Sequence, residues 1–144
     1  MKRLYLCISV VLIVSASLWA EKRPDDALAV LLRADQLESS LLGEGGERSK
    51  LAPMFAVLAQ SPNREEQFDR LVTNAVTSAG KAYGILGLYM VRPETGIERA
   101  KSLPTSFRVP YMLFCISGEW GREEFIEQLR NGNLERAVSY PVAK

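Results

Sequence analysis

Between Ser78 and Val91 the apolar positions fall on every side of a helical projection, which predicts a helix buried around most of its circumference. Within it Gly80, Gly84 and Gly87 recur at i, i+4 and i+7 and form one smooth strip on which a second helix can lie close. The preceding stretch is amphipathic. Phe68, Leu71, Val72, Ala75 and Val76 share one face, with Glu65, Asp69 and Arg70 outside it. Asn63 stands at the start of that helix and Glu66 three residues later, the arrangement of a capping box. Thr77-Ser78 supplies the cap for the glycine-bearing helix, and Pro93 both ends it and opens a short helix carrying Ile97, Ala100 and Leu103. Pro104 closes that one.

Upstream, Leu51 to Gln60 reads as a short helix with Pro53 near its start and Ser61-Pro62 as its breaker. Pro24, the Asp25-Asp26 pair and the leucines at 28, 31, 32, 37, 41 and 42 predict a helix from Pro24 to Gly43, bent near Ala34-Asp35. Glu44 to Ser49 is a polar, glycine-bearing loop. After Pro104 the texture changes. Phe107-Arg108-Val109 alternates, and Tyr111 to Ser117 is apolar and aromatic with few helix signals, so a short β-hairpin or extended pair is expected near residues 106–117. Pro110 suits an edge position there. Gly118-Glu119-Trp120-Gly121 reads as a turn. Arg122 to Arg130 reads as an amphipathic helix with Phe125, Ile126 and Leu129 inward, ended by Asn131-Gly132. The tail from Leu134 to Lys144 can pack through Leu134, Val138 and Tyr140.

Two units share one plan, an apolar helix, a proline-bearing connection and an amphipathic helix, with Pro62 and Pro93 31 residues apart. The fold class expected is therefore mainly α, either a compact bundle or a short solenoid of helical hairpins.

Residues 1–20 have the layout of a secretory signal peptide. Lys2 and Arg3 precede an uncharged apolar stretch, and Ala20 precedes the polar Glu21-Lys22-Arg23. Leu18 sits where a small residue is preferred, and Ser15-Ala16-Ser17 offers an earlier cleavage site. The alternative is an uncleaved membrane anchor, for which Leu4 to Ala20 lies at the short limit. Cleavage leaves residues 21–144 as one domain with 16 basic and 17 acidic residues, a net charge of −1. That near balance disfavours nucleic acid as a partner. An exported chain keeps Cys115 alone, hence no internal disulfide. Its apolar surroundings predict a buried, inert thiol, with an intermolecular disulfide as the alternative.

The chain contains no histidine. Ser-His-Asp and Cys-His catalysis in their usual form, and zinc sites built on histidine, are thereby excluded. Ser78 and Lys81 stand at i and i+3, as in a Ser-x-x-Lys site, but the companion motifs of such enzymes are missing. A phosphate loop at Gly80-Lys81 fails because Ala75 and Ala82 occupy the required glycine and Ser/Thr positions. The acidic pairs Asp25-Asp26, Glu65-Glu66 and Glu123-Glu124 stand at helix starts, where the helix dipole accounts for them, and none has calcium-loop spacing. No catalytic, metal or cofactor-binding residue is expected. Trp120, in a glycine-flanked turn, is expected first to bury and close the last helix onto the core; exposed, it could anchor a partner or a glycan, and it and Arg122 are the candidate contacts for a partner.

At Ser61-Pro62-Asn63-Arg64-Glu65-Glu66, at Ser78 to Tyr89 and at the Cys115 run, the chain resembles small exported bacterial proteins of unknown function. Its helical pairs are loosely similar to HEAT-type repeats. The resemblance brings no catalytic residue with it. The signal peptide, the paired helices and the missing catalytic inventory together predict an exported, periplasmic or extracellular helical domain, a non-enzymatic binding protein whose partner is another envelope protein. A small carboxylate-dependent hydrolase or lyase is the alternative, and a membrane-tethered structural protein, contacting the membrane only if the signal peptide is uncleaved, is a second.

Overall fold

The computed structural model describes residues 23–139, so the expected signal peptide and Tyr140 lie outside the described residues. The chain forms α1 (Pro24–Leu31), β1 (Leu37–Leu42), β2 (Glu47–Arg48), α2 (Ala52–Ala59), α3 (Arg64–Asn74) and α4 (Ser78–Val91). It continues as α5 (Pro93–Lys101), β3 (Arg108–Phe114), β4 (Ile116–Gly121), α6 (Arg122–Arg130) and α7 (Asn133–Ser139). The four strands make one sheet in the order β2-β1-β3-β4, parallel between β1 and β3 and antiparallel at both outer pairs. The fold is thus mixed α/β, and the mainly α expectation is corrected.

Helix α4 is the axis of the molecule. It touches α2, α3, α5 and α7 as well as β1 and β3. Thr77 Oγ1 accepts from the Gly80 amide at 3.0 Å and fixes its start. The glycine strip works as its spacing predicts. A Cβ at Gly84 would lie 2.7 Å from the Val72 amide nitrogen and 2.9 Å from the Phe68 carbonyl oxygen, so α3 rests directly on α4. At Gly87 the Phe68 ring occupies the vacant space, and at Gly80 the Leu31 carbonyl comes within 2.7 Å of the missing Cβ. On the far side Gly96 gives α5 the same close approach to Tyr89. Because one helix serves as the partner of all these elements, the helical pairs do not stack as successive repeats. This is not a solenoid of helical hairpins, and the HEAT-like analogy falls with it.

The largest departure from the sequence pattern is at the leucine-rich N-terminal stretch. The helix predicted to Gly43 stops at Leu31, and Leu37–Leu42 is a strand. Its serines explain the choice. Ser39 Oγ accepts from the Phe114 amide at 2.6 Å and donates to the Leu41 carbonyl. A side-chain hydroxyl thus takes over a ladder bond where the β1–β3 register shifts. Gly43, at φ +66, starts the turn into β2 instead of ending a helix. Ser49 Oγ then accepts from the Leu51 and Ala52 amides at 3.0 and 2.9 Å, capping α2, and donates to the Glu38 carboxylate at 2.6 Å.

Helices α2, α3, α4, α5 and α6 lie where the pattern puts them, except that α3 ends at Asn74, so Val76, expected on its apolar face, falls beyond the helix and is exposed. Phe125, Ile126 and Leu129 are buried, and Gly132 at φ +69 ends the α6 segment. The tail to Ser139 is helical, with Leu134 and Val138 in the core. One capping detail differs. Asn63 Oδ1 takes the Ser61 hydroxyl instead of capping α3, and Glu66 makes no return bond. A capping interaction of that kind occurs at α6, where the Glu124 carboxylate accepts from the Gly121 amide at 2.7 Å.

Candidate functional site

Two features stand out on the surface, a charged cleft and an apolar hairpin. The cleft is open, about 910 Å³ in volume, between the first turns of α3 and the edges of α4 and α5. Leu88 and Val91 give it apolar lining, and Glu65, Glu66, Asp69, Arg64 and Arg99 give it charge. Two ion pairs tie α3 to the α5 side. Arg92 Nη2 lies 2.8 Å from Glu65 Oε1, and Arg99 bonds Asp69. All four side chains are about half exposed, so each pair contributes about 0–1 kcal/mol and serves mainly to set the register of the helices. The three carboxylates come from a single helix, and two of them are neutralised by arginine. Among the described residues no group of three acidic or sulfur ligands converges on a metal position.

The hairpin is built differently. β3 and β4 run in register from Arg108↔Gly121 to Leu113↔Ile116, leaving Phe114-Cys115 as a two-residue turn. The turn expected at Gly118–Gly121 is therefore strand. Gly118 stays in the strand because the Tyr111 ring covers it. A Cβ at Gly118 would meet the phenol oxygen at 2.6 Å. Trp120 stacks on the same Tyr111 ring, with centroids 4.0 Å apart and planes 21° apart. Pro110 sits in an inner strand, not at an edge. It is tolerated because β1 begins one residue further along, opposite Tyr111, so its missing N–H has no strand partner to bond.

Phe114 adopts φ +55, a region costly for a bulky side chain, and its two backbone groups are held from β1 and from the residue that follows it. Ser39 Oγ takes its amide, and the Gly43 amide donates to its carbonyl at 2.7 Å. The ring itself is 44% exposed and Ile116 is 63% exposed. Cys115 between them is exposed, which corrects the expectation of a buried thiol. The apolar run is the tip of a hairpin, and a tip turns its residues away from the core. On the β1 side of the tip, Leu42 and Met112 line an open depression of about 320 Å³ bordered by Glu44 and Glu47.

Of the two residues singled out for partner contact, Trp120 is half-buried in the Tyr111 stack. Arg122 is committed within the chain: it donates to the Leu103 carbonyl at 3.1 Å and pairs with Glu123 at 2.6 Å. Neither lines the cleft. Phe114 and Ile116 were hidden inside an apolar run that reads as core, and only the two-residue turn brings them out. Ser78 and Lys81 form no bond with each other, and Thr77 is the cap. Among the described residues no helix is long and apolar enough to cross a membrane. No protein-family model, curated protein or solved structure matches the chain.

Proposed function

We propose that the chain is an exported, non-enzymatic binding protein of the bacterial cell envelope, and that the β3–β4 hairpin is the element with which it holds another protein. The observation that carries this reading is the hairpin tip. Two large apolar side chains, 44% and 63% exposed, are presented on a backbone pinned in a costly conformation. Such exposure is unfavourable in water and is relieved when a partner covers it. Trp120 and Tyr111, stacked behind the tip, give the hairpin a rigid base. Arg122 serves this site by holding the start of α6 to the Leu103 carbonyl, and so the end of β4 to the body.

The carboxylate-dependent hydrolase or lyase draws no comparable support. A general acid and base of divergent acidity need two carboxylates in different environments facing one substrate. The carboxylates of the cleft share one helix, and two of the three face arginines. The tethered structural protein rests on residues 1–20, which lie outside the described residues.

The test is a photo-crosslinking amino acid placed at position 116 in the source cells, with position 76 as control because Val76 is 76% exposed. A discrete adduct from 116 and none from 76 is expected. No adduct at 116, or the same adducts from both positions, contradicts the reading.

A further inference from the structure

We propose that the outer edge of β4 is occupied by a second copy of this chain, paired antiparallel about a two-fold axis at Gly118, so that two four-stranded sheets become one of eight strands. The inference rests on reading the hairpin as an interaction element and names what lies along its edge.

The two edges of the sheet are unequal. At one end β2 is two residues long and carries Glu47 and Arg48, a blunted edge. At the other, β4 is six residues long with Glu119 as its one charge, and among the described residues no strand pairs with its outer side. Ser117, Gly118 and Glu119 are exposed. The direction of its backbone groups follows from the turn. Leu113 and Ile116 flank a two-residue loop and exchange hydrogen bonds, as do Tyr111 with Gly118 and Val109 with Trp120. Ser117 and Glu119 therefore direct their N–H and C=O groups outward.

Those two outward residues fix the register with a second copy. Pairing Ser117 with Glu119 of the other copy centres the axis on Gly118 and joins no like charges. It sets Ile116 opposite Trp120 of the other copy in a non-hydrogen-bonded pair, where side chains lie closest. The most exposed apolar side chain of the hairpin is then covered by its largest aromatic one, twice by symmetry. Placing the axis at Glu119 would oppose two carboxylates. Placing it at Ser117 would leave Ile116 facing Gly118. In the Gly118-centred register Cys115 lies opposite Gly121, and the two thiols stand about 20 Å apart, too far for a disulfide. Phe114 lies in the turn, outside the residues this register pairs.

The test uses the chain in the form the cell exports, with reductant present, and measures its dimer dissociation constant by sedimentation. Ser117 is exposed, so Ser117→Lys and Ser117→Glu leave the core untouched, which circular dichroism checks. A reductant-resistant dimer is expected. Ser117→Lys, facing Glu119 of the other copy at two symmetric positions, should tighten it about tenfold, and Ser117→Glu should weaken it by a similar factor. A monomer at all concentrations overturns the inference, as does a dimer that reductant dissolves. Weakening by both substitutions also overturns it, since that places Ser117 opposite itself. A monomer whose position 116 still crosslinks to a different polypeptide overturns the dimer while the hairpin reading stands.

Discussion

Tyr83 heads the fully buried side chains, and its hydroxyl accepts a 2.8 Å hydrogen bond from the Glu38 amide, joining the central helix to β1. Glu38 in turn accepts from Ser49, which caps α2. One phenol thus ties three elements together. Tyr83→Phe leaves the Glu38 amide without its partner and should cost about 1–2 kcal/mol in urea unfolding, with an unchanged midpoint counting against the tie. Burial pushes the Tyr83 pKa upward, well above its ordinary value. The folded chain therefore keeps the phenol proton to higher pH than the unfolded chain, and above about pH 10 unfolding releases it. Stability should fall as pH rises through that range, and less steeply in Tyr83→Phe. At this scale the sequence misleads where a residue's surroundings in the chain differ from those in space. Cys115 lies between Phe114 and Ile116 in an apolar run, yet the chain reverses there and all three are exposed.

Among the elements, α4 was the most legible. Its apolar residues point all ways and its glycines share a strip, two facts that together require close neighbours on several sides. Gly84→Ala tests the strip. On an open helix the change would add about 1 kcal/mol from helix propensity. Here the new Cβ meets the backbone of Val72 and Phe68, which cannot turn aside as a side chain can. A net loss of about 1–3 kcal/mol is expected, read as a lower urea midpoint, and a rise would show that α3 can move away. The strands were less legible because each depends on another. β1 contains four leucine or glutamate residues that suit a helix equally, and its state is decided by Ser39 bonding to Phe114, 75 residues away. β4 contains Gly118 and Gly121, which read as turn residues, and Tyr111 from the neighbouring strand makes the first of them part of a sheet.

For the whole molecule, the expectation of paired helical hairpins identified most of the helices and misjudged their arrangement. A 31-residue spacing of prolines is compatible with stacked repeats and with helices gathered around one axis, and α4 contacts both the other helices and the sheet. The sheet was half seen, as an extended pair near residues 106–117, because its parallel pairing of β1 with β3 spans the intervening helices. Of the hairpin proposed as the interaction element, the sequence singles out Trp120 and not Phe114 or Ile116. A glycine-flanked tryptophan is visible in the sequence, whereas the exposure of the tip follows from a two-residue turn.

We propose a helical body that holds one hairpin outward with its outer edge covered by a partner chain. Hydrogen exchange at that edge, in an extract of the native envelope, tests this most directly. The Gly118 amide bonds inward to β3 and should be slow in every state, which makes it the internal reference. The outward amides of Ser117 and Glu119 should be slow as well if a partner chain covers the edge. If both exchange at the rate of an unfolded peptide while Gly118 stays protected, the edge is free and the central claim fails.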